Sequence, residues 1–248
     1  MNAENKGQTG RAFAASMVSL LDRVEYRRVS SAEDFAAVEK LRRTSYESRE
    51  FVAAGTHYDY VDTYDRSPDC RVFTVHIDGL LLSTIRVHIV TADHLHGPTA
   101  HYFPERAKSL VESGQLYIDP SRFAADNSMV WQYPALPFLT LRIAVMACEY
   151  YGAEYCMSCV RADVASFYRR TFGSTEFEPP QRLPGVAVPM TLLGARESDV
   201  REKMESRYPF FRSMASEQKL MFMPESELAY PPLTILPSAR LANRAFLQ

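Results

Sequence analysis

Residues 71–90 admit essentially one local structure. Two runs rich in β-branched and apolar residues, 71–77 and 80–90, flank the pair Asp78-Gly79. A two-residue type I′ hairpin turn needs positive φ at both positions, and Asp-Gly meets that need, so the spacing predicts a β-hairpin. On its second strand Thr84, Arg86 and His88 share one face, opposite Ile85, Val87 and Ile89. An arginine on a face inside a central hairpin either snorkels to solvent or anchors an anion. A lone His88 reads as a satisfied structural histidine.

Residues 114–126, GQLYIDPSRFAAD, read as a further strand. Strict alternation puts Tyr117, Asp119, Ser121 and Phe123 on one side and Leu116, Ile118 and Arg122 on the other. Pro120 cannot donate a ladder hydrogen bond, so it marks an edge, a bulge or a point where two strands part. An acid three residues before an arginine on such a strand fits a cleft or a surface ion pair, and spacing alone leaves both open.

Around these strands the pattern turns helical. Phe13, Met17, Leu20, Leu21 and Val24 fall at helical spacing after a polar tail, residues 1–10, expected to be mobile. Ser31 with Asp34 three residues on begins a second helix by a capping-box pattern, and Arg42 and Tyr46 are neighbours on its surface. Residues 104–112 form a short helix. Pro137 starts a long apolar helix that Gly152 stops, buried against a sheet and obliging Arg142 to find a partner. A strand (residues 154–160), a helix ended by Gly173 and a last strand near 186–193 follow. This order predicts a mixed α/β sheet. From Glu197 on, a charged and proline-punctuated stretch reads as an extension. The units are therefore residues 1–30, 31–196 and 197–248.

Composition narrows the function classes. The 28 basic and 30 acidic residues leave no broad footprint for nucleic acid. No apolar run approaches the ~20 residues of a membrane span, and no small-residue cleavage site follows residues 12–21. Cys156 and Cys159 form a CxxC without a second pair, so they read as buried reduced thiols in a cytoplasmic protein. Asp59, Asp62 and Asp65 recur every third residue but lack a calcium loop's glycine and glutamate. The histidines at 94, 96 and 101 fit no standard metal spacing, so no metal site is expected.

With these residues in hand the chain resembles the GNAT acyltransferases, through residues 166–173, SFYRRTFG, and through its order of elements. Within that fold it resembles the autoinducer (N-acyl-homoserine lactone) synthases and the long-chain N-acyl amino acid synthases. The matching positions are Arg42 with Tyr46, Asp62 with Asp65, Arg86, Phe103-Pro104, and Asp119 with Ser121, Arg122 and Phe123. The resemblance implies a mainly antiparallel mixed sheet flanked by helices, with an N-terminal helix and a C-terminal helical extension. It implies acyl transfer from a thioester to an amine, with Asp119 as base and Tyr168 as acid to the leaving thiolate. Arg42, Tyr46, Asp62, Asp65, Arg86, Phe103, Ser121, Arg122 and Phe123 would then shape the acceptor site. Helix 138–151, with Met146 and Met157, would wall an acyl tunnel. The chain departs from the pattern in having Asp119 for the usual glutamate, no tryptophan before the Asp pair, and no glycine-rich diphosphate loop after Phe123. The last point favours acyl carrier protein over coenzyme A as donor, with no tightly bound cofactor. The expected product is an N-acyl amino acid; the alternatives are a homoserine lactone made from S-adenosylmethionine, and a non-catalytic binder of acylated carrier or lipid.

Overall fold

The computed structural model describes residues 3–112, 114–230 and 232–245. Among them a seven-stranded sheet runs in the order β1 (Val24–Arg28), β2 (Cys70–Ile77), β3 (Leu80–Val90), β4 (Tyr117–Ala125), β5 (Tyr155–Arg161), β7 (Pro189–Arg196) and β6 (Thr175–Arg182). Every neighbouring pair is antiparallel except β4 with β5. The β2–β3 turn has φ of 51° at Asp78 and 80° at Gly79, as the hairpin spacing requires.

The parallel pair is short. Tyr117 meets Tyr155 and Ile118 meets Cys156, and the register goes no further. Pro120 stands just past the last pair, so of the three places open to it the chain uses the parting of two strands. The same strand is bulged. Thr84 pairs with Ala124 and Arg86 with Ser121, which leaves Arg122 and Phe123 together opposite Ile85, with Arg122 at φ 55°. Two residues against one reverses the alternation expected beyond Ser121. Arg122 turns to the face of Arg86 and Ser121, and Phe123 packs against the core on the other side.

Helices cover both faces. On the Arg86 face lie α2 (Ala32–Glu47), α3 (Pro98–Tyr102) and α4 (Pro104–Val111). Ser31 and Asp34 form the expected reciprocal cap of α2. On the other face α5 (Leu136–Tyr151) lays Leu139, Ile143 and Ala147 into a core with Ile85, Val87 and Ile118. Gly152 ends α5 at φ 65°, a left-handed cap that a side chain would disfavour. α1 (Ala3–Leu20) joins this side through Met17. Val24, assigned to that helix by spacing, instead begins β1; residues 3–10 of the polar tail are helical, and residues 1 and 2 lie outside the described residues. α6 (Ala165–Phe172) joins β5 to β6, the outer strand that the sequence did not announce; Pro179 and Pro180 sit on it, as an edge allows.

The segment expected as an extension is packed into the main core. Phe210, Phe211, Met221, Phe222, Ile235 and Ala239 belong to the same buried cluster as β1–β4 and α5. Ile235 exchanges two backbone hydrogen bonds with Tyr26, at 2.9 and 2.8 Å, on the outer side of β1. Arg142 of α5, 0% exposed, finds its partner in Glu217 of α8 (Ala215–Phe222). α7 (Glu197–Arg207) and α9 (Ala239–Ala245) complete the chain. No helix among the described residues is long and apolar enough to cross a membrane.

Candidate active site

The parting of β4 from β5 opens a cleft of about 290 Å³. β4 walls it with Pro120, Ser121, Arg122 and Phe123, and β5 with Ser158, Cys159 and Arg161. Tyr46 and Phe51 close it from the α2 side, and Leu141, Phe167 and Tyr168 from the α5 side. A backbone bridge holds the Phe51 wall: Ala53 N–H donates to the Gly185 carbonyl at 3.2 Å, and Ala187 N–H to the Phe51 carbonyl at 2.9 Å. Four residues, Pro120, Leu141, Ser158 and Tyr168, also line a second pocket of about 50 Å³ behind the cleft. Its walls are Ala144, Val145 and Cys148 of α5 with Val200 and Met204 of α7. Met146 and Met157, expected to wall an acyl tunnel, are 0% exposed in the cores and line neither space, because α5 turns Leu141, Ala144, Val145 and Cys148 to the opening instead.

Behind the Arg122 wall of the cleft lies a network of arginines and aspartates. The short turn Thr63–Arg66 is capped reciprocally by Asp62 and Asp65, which fixes both carboxylates. Arg42 Nη1 donates to Asp65 at 2.9 and 2.8 Å and to the Tyr60 carbonyl at 2.9 Å. Arg86 donates to Asp62 Oδ1 at 2.5 Å and to Ser121 Oγ at 3.1 Å. Arg122 Nη2 donates to the other oxygen of Asp62, also at 2.5 Å, and its guanidinium lies 4.6 Å from the centre of the Tyr58 ring. Asp62 thus bridges two arginines, and the bulge is what lets Arg122 reach it. Burial opposes the charged form of Asp65, but Arg42 and Arg86 outweigh it and hold this carboxyl below its usual range. Burial raises the Tyr46 phenol, against the pull of Arg122, Arg42 and Arg86, so it stays neutral. Arg122 Nη1 is buried and has no hydrogen-bond partner among the described residues. A buried guanidinium N–H left open at a cleft wall is a place for an anionic or carbonyl oxygen.

Asp119 lies behind this wall, not in it. It is 0% exposed, its Oδ2 accepts the Thr99 N–H at 2.7 Å, and its Oδ1 has no partner among the described residues. Burial pushes its carboxyl up to about 6, with the Thr99 contacts and Arg86 pulling the other way. Cys159 connects it to the cleft: burial pushes that thiol up to about 12, and nearby Asp119 adds to the shift. His88, its cross-strand partner, is not satisfied as the sequence led one to expect. Both ring nitrogens are buried and without a partner among the described residues, and burial, Arg86 and His96 push the ring down to about 3.

The other expected residues separate cleanly. Tyr168 lines both spaces, and burial, with Cys156 adding to it, raises its phenol well above the ordinary value, so it is protonated near neutrality. Phe103 does not reach the cleft; it is buried with Ala107, Val111 and Tyr117 under α4. Sequence reasoning missed Tyr58, Arg49, Phe51, Cys159, Arg161 and Phe167. A tyrosine beside an Asp-rich loop and an arginine one residue past α2's cap were the only signals. Cys156 and Cys159 are reduced and half-buried, and no group of three or more potential metal ligands forms among the described residues.

A sequence profile of the N-acyl amino acid synthase FeeM family matches residues 37–196, well over half of the chain. The chain belongs to this family. The match spans the cleft and the arginine–aspartate network and stops where α7 begins. Among solved structures, FeeM, an N-acyl amino acid synthase from uncultured soil microbes, superposes with a TM-score of 0.61 at 15% identity, covering 75% of this chain and 97% of that one. An uncharacterized protein of Bacillus halodurans gives 0.50 at 13% identity over 76% and 89% of the two chains. An acyl-CoA N-acyltransferase from Pseudomonas aeruginosa gives 0.49 at 16% identity over 69% and 97%. At 15% identity the superposition on FeeM establishes the fold alone, and the family profile establishes the activity class. The protein is an N-acyltransferase. No curated protein sequence matches it.

Proposed function

We propose that the protein moves a medium or long acyl chain from an acyl-carrier-protein thioester to the amine of an amino acid, giving an N-acyl amino acid and a free thiol. One observation carries this reading: the cleft has a cationic end with an open guanidinium N–H at Arg122, and a greasy end that continues past Tyr168. A fork of this kind suits a carboxylate, and the apolar pocket suits an alkyl chain. The amine and the thioester then meet between them, along β4 where no neighbouring strand takes up the backbone on the β5 side.

In this scheme the acceptor's carboxylate rests on Arg122, with Asp62 and Arg86 holding that guanidinium in place. Asp119 takes the ammonium proton through a water that enters past Cys159 and Ser121; a carboxyl titrating near 6 is a better base than an ordinary aspartate. Tyr168, neutral and at the neck, donates to the departing thiolate. Residues 126–135, between β4 and α5, contain no glycine, so no cradle of free glycine amides stands ready for the diphosphate of coenzyme A. That favours a carrier-borne donor. The similarity to FeeM, an N-acyl amino acid synthase, points the same way for the product.

The test is a mass-spectrometric product screen. Purified protein receives octanoyl to octadecanoyl groups, on acyl carrier protein and on coenzyme A, with a pool of amino acids and S-adenosylmethionine. An N-acyl amino acid is expected, formed faster from the carrier. An acyl-homoserine lactone, or no product from folded protein, overturns the proposal.

A further inference from the structure

Asp119 poses a problem that the cleft does not solve. An ammonium and a thioester become an amide, a thiol and one proton, so each turnover leaves a proton behind. If Asp119 takes it, as the proposed function holds and as this inference assumes, the proton sits on a carboxyl with no exposure to solvent. The next turnover waits until it leaves.

The surroundings of Asp119 are unusual in one respect. Asp119 Oδ1, both ring nitrogens of His88, Thr99 Oγ1 and Tyr117 Oη are all buried and without a hydrogen-bond partner among the described residues. A polar group buried unpaired is destabilising, and native proteins keep few of them. Four such atoms beside the unpaired oxygen of one carboxylate call for hydrogen-bonded water to satisfy them. Gly97 packs against this group. Its φ of 149° favours glycine, and a β-carbon there would stand 3.4 Å from Asp119 Oδ2 and 3.5 Å from His88 Cγ.

The neighbours of Asp119 lead outward. His88 is cross-strand from Asp119, and its ring centre lies 6.4 Å from that of His96, a separation one water can span. His96 is exposed, its ring tilted against Tyr64 with centres 4.6 Å apart, and its Nδ1 is 3.5 Å from Ser67 Oγ. The geometry points to a proton exit that runs from Asp119 through water to His88, then to His96 and to solvent. No bond other than N–H and O–H forms or breaks along it, and bulk buffer receives the proton. His88 and His96 are positioning residues here: they touch no substrate and act through Asp119.

The charged and titratable groups facing His88 are Arg86 on its own strand, Cys70 on β2, Asp119 on β4, Asp62, Tyr64 and Asp65 in the capped turn, and His96. Arg86 and burial keep the ring neutral at rest, so it passes the proton on and does not store it. A neutral imidazole does this by accepting at one nitrogen while releasing from the other.

The experiment follows proton release and amide formation in a single turnover, with a pH indicator at low buffer. It uses the full chain, a dodecanoyl thioester on carrier protein and on coenzyme A, and the amino acid pool. In the wild type the proton appears with the amide. In His88→Gln and in the exposed-site variant His96→Gln, release is expected to lag the amide or steady-state kcat to fall at least threefold. Added imidazole should restore His96→Gln but not His88→Gln, a rescue that a purely structural role would not show. Release coincident with the amide and an unchanged kcat in folded His88→Gln and His96→Gln overturns the exit. Absence of any wild-type product would instead sink the acyl-transfer proposal beneath it.

Discussion

Glu217→Ala tests whether residues beyond 196 belong to the body of the enzyme. Arg142 and Glu217 are 0% and 2% exposed. Arg142 Nη1 donates to Glu217 Oε1, and Nη2 to Oε2 at 2.9 Å. Oε2 also accepts Ser238 N–H at 2.8 Å and Oγ–H at 2.7 Å, so one carboxylate ties α5, α8 and the start of α9 together. Removing it leaves a guanidinium in the core with no counter-charge, held by the carbonyls of Phe210, at 2.8 Å, and Arg212, at 2.7 Å, and by the Met146 sulfur at 3.3 Å. Breaking a buried pair from one side costs about 3–5 kcal/mol, a large share of the ~5–15 kcal/mol that stabilises a native protein. For a chain of this size that lowers Tm by about 6–20 °C. Replacing both partners, Arg142→Met with Glu217→Leu, removes the stranded charge and should recover most of the loss. Differential scanning calorimetry of the single and double variants decides it. A Glu217→Ala protein within about 1 kcal/mol of wild type, a change ordinary for surface sites, would refute the reasoning, as would a double variant no better than the single.

Two further predictions concern the site. Asp119→Asn should lower kcat by about 100- to 10,000-fold, the usual weight of a general base, and remove the acidic limb expected in wild-type kcat near pH 6. The same variant should be more stable at pH 8. Burial lifts the Asp119 carboxyl from 3.8 to about 6, so between about pH 4 and 6 the native state holds a proton that the unfolded chain has lost, and stability falls as pH rises through that window. The full difference is about 3 kcal/mol, visible by denaturant melts at pH 8 and absent at pH 3. Ala144→Phe, filling the pocket behind Tyr168, should shift the preferred donor to shorter chains in a competition assay; an unchanged chain-length profile would show that the acyl group lies elsewhere.

What the sequence disclosed and what it hid follow from the range of the forces involved. The Asp78-Gly79 turn, the Ser31–Asp34 cap and the Gly152 stop are set by neighbours within four residues, and all three form as read. The bulge at Arg122 is a count of two residues against one, which exists only once β3 and β4 are paired, so alternation placed Arg122 on the wrong face. β6 was hidden by Pro179 and Pro180, which mark an edge as readily as a loop. The packing of the C-terminal segment depends on a pair 75 residues apart in the chain, and only the need of Arg142 for a partner was visible beforehand. In the site, the resemblance named the residues that form the Arg42–Asp65 and Arg86–Asp62–Arg122 network. It did not disclose that Asp119 sits behind the cleft under the Thr99 N–H, or that His88 beside it is unpaired, because both depend on how α3 packs on the sheet.

The account stands or falls on the acceptor's carboxylate meeting Arg122 in the cleft. The direct measurement compares kcat/KM for the accepted amino acid with that for its carboxamide, in the wild type and in Arg122→Ala. Hydrogen bonds to charged groups are worth about 1.5–3 kcal/mol, so the wild type should favour the carboxylate by about 10- to 150-fold, and Arg122→Ala should lose that preference through KM. Equal use of the two acceptors by the wild type, or full discrimination kept by Arg122→Ala, would contradict it.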